Sequence, residues 1–244
     1  MSLNLPQLGA DPGSPFPPAE SALVEPNGLL AFGGGLEPER LLRAYASGIF
    51  PWFSPGEPPL WWNPDPRMLI STDALHLTRR FRRELKQRDW VASADCAFER
   101  VIKRCAQLPR RGQRGTWIVP AMRRAYAALH ALGHAHSIEV WQQDRLIGGL
   151  YGVCVGRAFF GESMFSLEPG ASKFAIAALC RRLCSWGMPL LDGQVESEHL
   201  ARLGFAPVAR AEFLRQLSSL THEASAAGSW EHRFGRLSAA ELIR

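Results

Sequence analysis

The stretch from residue 136 to residue 166 constrains the fold of this chain most. It holds HSIEVW, QQDR, LIGGLYGVCV and GRAFFGESMFS in succession: three runs dense in β-branched and aromatic residues, joined by short turns. Such runs predict an antiparallel meander of three strands, and a meander this apolar must be covered by other elements. Downstream, residues 172–186 form an amphipathic pattern stopped by Gly187 and Pro189, LLDGQV reads as a short apolar strand, and residues 198–203 as a short helix ended by Gly204. A further helix is expected over 210–220, and no element is assigned to residues 221–244. Upstream, residues 73–88, 97–108 and 120–132 carry helical spacing, the last opening with Pro120. A meander followed by helix, strand and helix predicts an α+β fold with a mainly antiparallel sheet, in the order of an acetyltransferase-type acyltransferase core. No glycine-rich phosphate loop of the kind that binds coenzyme A accompanies it, so a different acyl donor is expected.

The first sixty-odd residues behave differently. FPPAESALVEPNGLLAFGGGL and GIFPWFSPGEPPLWWNPDP are broken by Pro and Gly around one helical stretch at 37–47, which predicts turns and short strands. The expected organisation is a small N-terminal domain over residues 1–65 and a main domain over residues 66–244.

Charge and cysteine content narrow the class. A net charge of +5 identifies nothing by itself, but RRFRRELKQR concentrates Arg79, Arg80, Arg82, Arg83, Lys86 and Arg88, and a second cluster runs through Arg100, Lys103, Arg104, Arg110, Arg111 and Arg114. Patches like these suit a polyanion, whose counterions they release. Five cysteines without a C-x-x-C pair argue against a disulfide framework or a zinc ribbon, and Cys180 and Cys184 read as small buried apolar residues. No apolar run approaches a membrane span and no signal peptide is evident, so a cytosolic location is expected. No helix reads as a heptad seam, so a monomer is expected, and neither a metal nor a cofactor is called for.

Candidate chemistry sits on the strands. Glu162 is flanked by bulky apolar residues, and Asp192 and Gln194, two apart in LLDGQV, are expected on one face of a strand. Two readings fit: an apolar-lined site with two carboxylates and an amide, or carboxylates at strand ends that are solvated or paired with arginines. Trp52, Trp61, Trp62 and Trp117 lie in Pro or Gly loops, where they can stack unpaired bases or close the small domain over the large one. His134 and His136 lack a third ligand at metal spacing, and Ser163, Ser166 and Cys154 lack a neighbouring His for covalent catalysis.

The strings EPNGLLAFGGGL, YASGIFPWFSPGEPPLWWNPDPR, GTWI, LGHAHSIEVW, LIGGLYGV, FFGESMFS and LLDGQV occur in this order and together resemble the leucyl/phenylalanyl-tRNA–protein transferase family over about residues 25–213. The resemblance implies a small N-terminal domain on an acyl-CoA N-acyltransferase-like domain used without coenzyme A. It implies transfer of Leu or Phe, and less readily Met, from aminoacyl-tRNA to proteins beginning with Arg or Lys, which marks them for degradation. By position, Trp52 and Trp117 resemble the pair that holds the terminal adenosine, and Phe159 the donor side-chain pocket. Glu162, Asp192 and Gln194 resemble the reaction centre, and Arg79, Arg83 and Lys86 the acceptor-stem binder. Gly35 stands where the family usually has Asp or Asn, and Ser197, given a carbonyl-orienting role, stands where an Asn is common. Glu162 and Asp192 are the expected counter-charges for a basic acceptor. The rival readings are a tRNA-binding module without catalysis and a FemX-like aminoacyl transferase acting on another amine.

Overall fold

The computed structural model describes residues 5–107, 116–222 and 227–243. The chain opens with β1 (Gln7–Leu8), a 3-10 turn at Ala19–Ser21, β2 (Leu29–Gly33), α1 (Pro38–Ala46), β3 (Phe50–Pro51) and β4 (Leu60–Trp62). These strands form a small sheet in the order β1-β2-β4-β3. Pro38 starts α1, where its missing N–H costs nothing, and Arg40, Leu41, Ala44 and Tyr45 make its buried stripe. Gly48 ends the turn at φ +72°, where a Cβ would come within 2.6 Å of the Phe213 ring.

The rest of the chain builds one large curled sheet. Its elements are β5 (Arg67–Ser71), α2 (Arg79–Leu85), β6 (Trp90–Ala94), α3 (Phe98–Gln107), α4 (Pro120–Ala131), β7 (Ala135–Gln142), β8 (Arg145–Val155) and β9 (Ala158–Ser166). They continue with α5 (Ala171–Ser185), β10 (Leu190–Gln194), α6 (Glu198–Ala201), β11 (Ala206–Val208), α7 (Arg210–Thr221), α8 (Glu231–Phe234), β12 (Leu237–Ser238) and α9 (Ala239–Leu242). The strand order is β11-β5-β10-β9-β8-β7-β6-β12, and β9 with β10 is the parallel pair in an otherwise antiparallel arrangement. The expected mixed fold with a mainly antiparallel sheet is therefore present, and the meander is β7–β9.

Both faces of this sheet are buried, which is why its strands read as continuous apolar runs. On one face Leu69, Tyr151, Val153, Phe160 and Leu190 join α1, α3, α4 and the small sheet. On the other, Ile70, Leu150, Phe159 and Leu191 pack against α5 and the C-terminal segment.

Several local expectations change. The helix expected over 73–88 is confined to Arg79–Leu85, because Thr78 caps it: its hydroxyl accepts from the Phe81 N–H at 3.2 Å. Residues 67–71 and 90–94, unassigned from sequence, are strands β5 and β6. The unassigned tail supplies a strand too, β12, which pairs with β6. Of the five cysteines, Cys184 is exposed rather than buried, while Cys180 is buried as expected. Among the described residues, no helix is long and apolar enough to cross a membrane.

Candidate active site

Strands β9 and β10 run in register only as far as Phe160 opposite Asp192, although β9 continues to Ser166. Immediately beyond that point each strand carries an extra residue. Tyr151 and Gly152 of β8 face Ser163 and Gly161, which leaves Glu162 as the extra residue on β9. Leu69 and Met68 of β5 face Asp192 and Gln194, which leaves Gly193 extra on β10. Bulges break simple alternation and re-aim side chains. Gln194 lies past the bulge in a left-handed conformation, φ +65°, so its two-residue spacing from Asp192 is not that of a regular strand.

Asp192 holds this turn together. Its Oδ1 accepts from the Gln194 backbone N–H at 2.7 Å, and its carboxylate takes Arg67 in a fork, Nε to Oδ1 at 2.9 Å and Nη2 to Oδ2 at 2.6 Å. Arg67 also donates to the Gly48 carbonyl at 2.9 Å and lies between the Phe50 and Phe213 rings. Neither side chain of the pair is exposed. The charge of Asp192 is thus already matched, so its expected part as counter-charge to a basic acceptor is withdrawn. The reading that pairs it with an arginine fits, though buried rather than in solvent.

Glu162 is different. Its Oε1 accepts from the Tyr45 hydroxyl at 2.7 Å and the Gln194 Nε2 at 2.6 Å, its Oε2 accepts from the Tyr126 hydroxyl at 2.7 Å, and the two hydroxyls are 2.6 Å apart. Three contacts close a ring among the phenols and the carboxyl group, and two phenols bring only two protons. The neutral carboxyl group completes the ring by donating to one phenol, whereas the ionised form leaves the phenol–phenol contact without a proton. Burial pushes the Glu162 carboxyl up to about 7, against the pull of its three donors. Burial, followed by the Glu162 charge, likewise raises both phenols well above the usual range.

Two compartments meet at this cluster. An apolar one of ≈ 290 Å³ is walled by residues including Leu150, Phe159, Ile176, Leu191 and Phe205, with Ser197 and His199 on its polar side. A smaller one of ≈ 170 Å³ is bounded by Trp52, Trp117 and Gln194, and both share Gly161, Glu162, Gly193 and Val195. Trp52 is fixed by its N–H to the Leu60 carbonyl at 2.9 Å and by Trp62, whose indole donates to the Trp52 carbonyl at 2.6 Å. Trp61 is fully buried and donates to Gly33, which makes it core.

The structure thus gathers Trp52, Trp117, Phe159, Glu162, Asp192, Gln194 and Ser197 around one opening. Arg79, Arg83 and Lys86 stand apart from it, all exposed, with Lys86 just past the end of α2. That helix leans on the start of α5, where Lys173 lies over the Phe81 ring at 5.7 Å. Burial, then the charges of Lys173 and Arg202, lowers the pKa of pocket-lining His199. Arg110, Arg111 and Arg114 of the second basic cluster lie outside the described residues. Sequence reasoning missed Arg67, Tyr45 and Tyr126. The chain has 3 Tyr, and the third, Tyr151, has its ring 5.3 Å from that of Tyr126, so tyrosine scarcity was the available signal. His136, weighed as a metal ligand, is held by Asp95, Nδ1 to Oδ2 at 2.8 Å.

Known proteins share much of this sequence. Residues 69–218 match the family described as leucyl/phenylalanyl-tRNA protein transferase, and residues 34–65 match its N-terminal domain. A leucyl/phenylalanyl-tRNA–protein transferase of Xanthomonas axonopodis pv. citri is 56% identical over 96% of this chain and 94% of its own. One from Xylella fastidiosa is 52% identical over 97% of each. Among solved structures, L-PGS from Bacillus licheniformis reaches a TM-score of 0.38 at 10% identity over 85% of this chain and 64% of that one, too low to bear on the fold. What the sequence relatives define first is a class: the chain is an aminoacyltransferase. More narrowly, it belongs to the leucyl/phenylalanyl-tRNA–protein transferase family.

Proposed function

We propose that this enzyme transfers Leu or Phe, and less readily Met, from aminoacyl-tRNA to the N-terminal α-amino group of proteins beginning with Arg or Lys. The observation that carries the reading is the junction of the two compartments at Glu162 and Gly193. The donor's side chain enters the apolar compartment against Phe159, and its terminal adenosine lies between Trp52 and Trp117. The ester carbonyl then falls at the shared rim. An apolar pocket that separates ligands by only about 1 to 3 kcal/mol per methylene accounts for Leu, Phe and Met together. The sheet is read as acyl-CoA N-acyltransferase-like, supported by the parallel β9–β10 pair whose ends part at the site. Location in the cytosol and the boundary near residue 65 rest on the composition of the sequence, and the basic acceptor and the degradation that follows rest on the family resemblance.

An aminoacyl ester is already activated and an α-amino group titrates near 8, so no strong base is needed. Proximity and orientation can remove about 7 to 11 kcal/mol of barrier. Gln194 orients the amine. An amide is too weak to take its proton, and Glu162, poised near neutrality beside Gln194, takes it. The new N–C bond forms as the ester C–O bond breaks, and Glu162 returns the proton to the departing ribose oxygen. Ser197, at the start of α6, lines the pocket as a carbonyl-orienting group. Arg79, Arg83 and Lys86 hold the acceptor stem.

The test is incubation with radiolabelled Leu-tRNA and a protein beginning with Arg. Label in the acceptor supports the reading. Tight tRNA binding without transfer supports a binding module instead, and transfer to a different amine supports the FemX-like alternative.

A further inference from the structure

Phe159 walls the apolar compartment, and what holds its ring lies outside the reaction centre. Gly152 on neighbouring β8 leaves it room, since a Cβ there would come within 2.5 Å of the Phe159 Cε1. Gly152 pairs in register with His136 on β7, so a bare position separates the His136 and Phe159 side chains on the sheet. Trp230, from the C-terminal segment, touches the rings on both sides of that gap. Its indole stacks on His136 at 3.7 Å between centroids and meets Phe159 at 5.6 Å, tilted by 38°.

Trp230 is itself fixed. Its backbone N–H donates to Asp95 Oδ2 at 2.7 Å, the carboxylate that also binds His136, and Trp186 packs against it edge-on at 4.9 Å. Only 2% of it is exposed. The segment around it is tied down by β12 on β6 and by Arg181, which donates to the Glu241 and Leu242 carbonyls at 2.7 and 3.1 Å. A core ring so held transmits small displacements, because packed interiors leave little slack.

We infer that Trp230 is a positioning residue that sets the depth of the donor pocket through Phe159, making the C-terminal segment a determinant of which amino acid is transferred. The inference rests on the donor-pocket reading above. Removing the indole lets the Phe159 ring fall back and deepens the compartment, which favours the larger donor side chain.

The experiment measures kcat/KM for Phe-tRNA and Leu-tRNA in wild type, Trp230→Leu, Trp230→Phe and Phe234→Leu, with thermal unfolding as a check of the fold. Phe234 belongs to the same segment and packs on Trp186, so its truncation reports general loosening. The Phe-to-Leu ratio is expected to rise about fivefold or more in Trp230→Leu, to return toward wild type in Trp230→Phe, and to stay unchanged in Phe234→Leu. Trp230→Met serves in place of Trp230→Leu if that variant does not fold. An unchanged ratio in Trp230→Leu, or an equal shift in Phe234→Leu, overturns the inference and leaves the transfer activity standing. A wild type that passes on neither label removes the donor-pocket reading and this inference with it.

Discussion

Arg67 and Asp192 form a two-pronged ion pair with neither side chain exposed to solvent, joining the strand that follows the small domain to the strand that carries Gln194. Charges so placed are costly to leave single. Arg67→Ala should lower stability by about 3 to 5 kcal/mol, because Asp192 is left buried without a partner. The double variant Arg67→Met with Asp192→Leu should recover much of that loss in denaturant titration and still lack activity, since nothing then holds the Gln194 N–H. Recovery of transfer along with stability would show that Asp192 does not shape the site.

Gln194 separates backbone from side chain. Its left-handed conformation costs a non-glycine residue about 1 kcal/mol, so Gln194→Gly should be more stable than Gln194→Ala by about that amount. Both should lose about a hundredfold in kcat with the KM for charged tRNA little changed. A variant that keeps wild-type kcat would remove Gln194 from the reaction.

Glu162 makes stability depend on pH in a defined direction. Its folded pKa, about 7, lies above its unfolded value of 4.5, so the folded state binds the extra proton. The contribution is complete below about pH 4.5 and is lost as pH rises through 7, worth on the order of 3 kcal/mol. Glu162→Gln should flatten that slope between pH 5 and 8. Transfer by wild type should rise with pH across the same window, and by the variant it should be slow and level. Parallel stability slopes in the two proteins would mean that Glu162 titrates normally.

The exposed cations of α2 make a prediction about salt. Replacing Arg79, Arg83 and Lys86 together by Ala should weaken tRNA binding and reduce the log–log salt slope by about 2 to 3. The fold should persist, since Phe81 and Leu85 carry the packing of that helix. An unchanged salt slope would place the tRNA elsewhere.

What was legible in the sequence follows from locality. The meander was plain because residues buried on both faces make unbroken apolar runs, and α3 and α4 were plain because their stripes are long. Strand β5 was hidden by the prolines before it, and β6 by the small residues of WVASA. The candidate residues on β9 and β10 came together as expected, but their bulges did not show, because Gly161 and Gly193 look the same in a regular strand. Tyr45, Tyr126 and Arg67 escaped notice for one reason. Their partners are 117, 36 and 125 residues away, so only the folded sheet brings them together. Trp61 and Trp52 are alike as sequence, yet the pairing of β4 buries one and leaves the other on the rim.

The most direct measurement is a crystal structure of the enzyme with a non-hydrolysable phenylalanyl-adenosine analogue. The benzyl group should lie against Phe159 and Leu191, the adenine between Trp52 and Trp117, and the carbonyl beside Gly193 within reach of Gln194. An analogue seated away from the shared rim of the two compartments, with Glu162 and Gln194 unengaged, would contradict the assignment of this cleft as the place where the aminoacyl group changes hands.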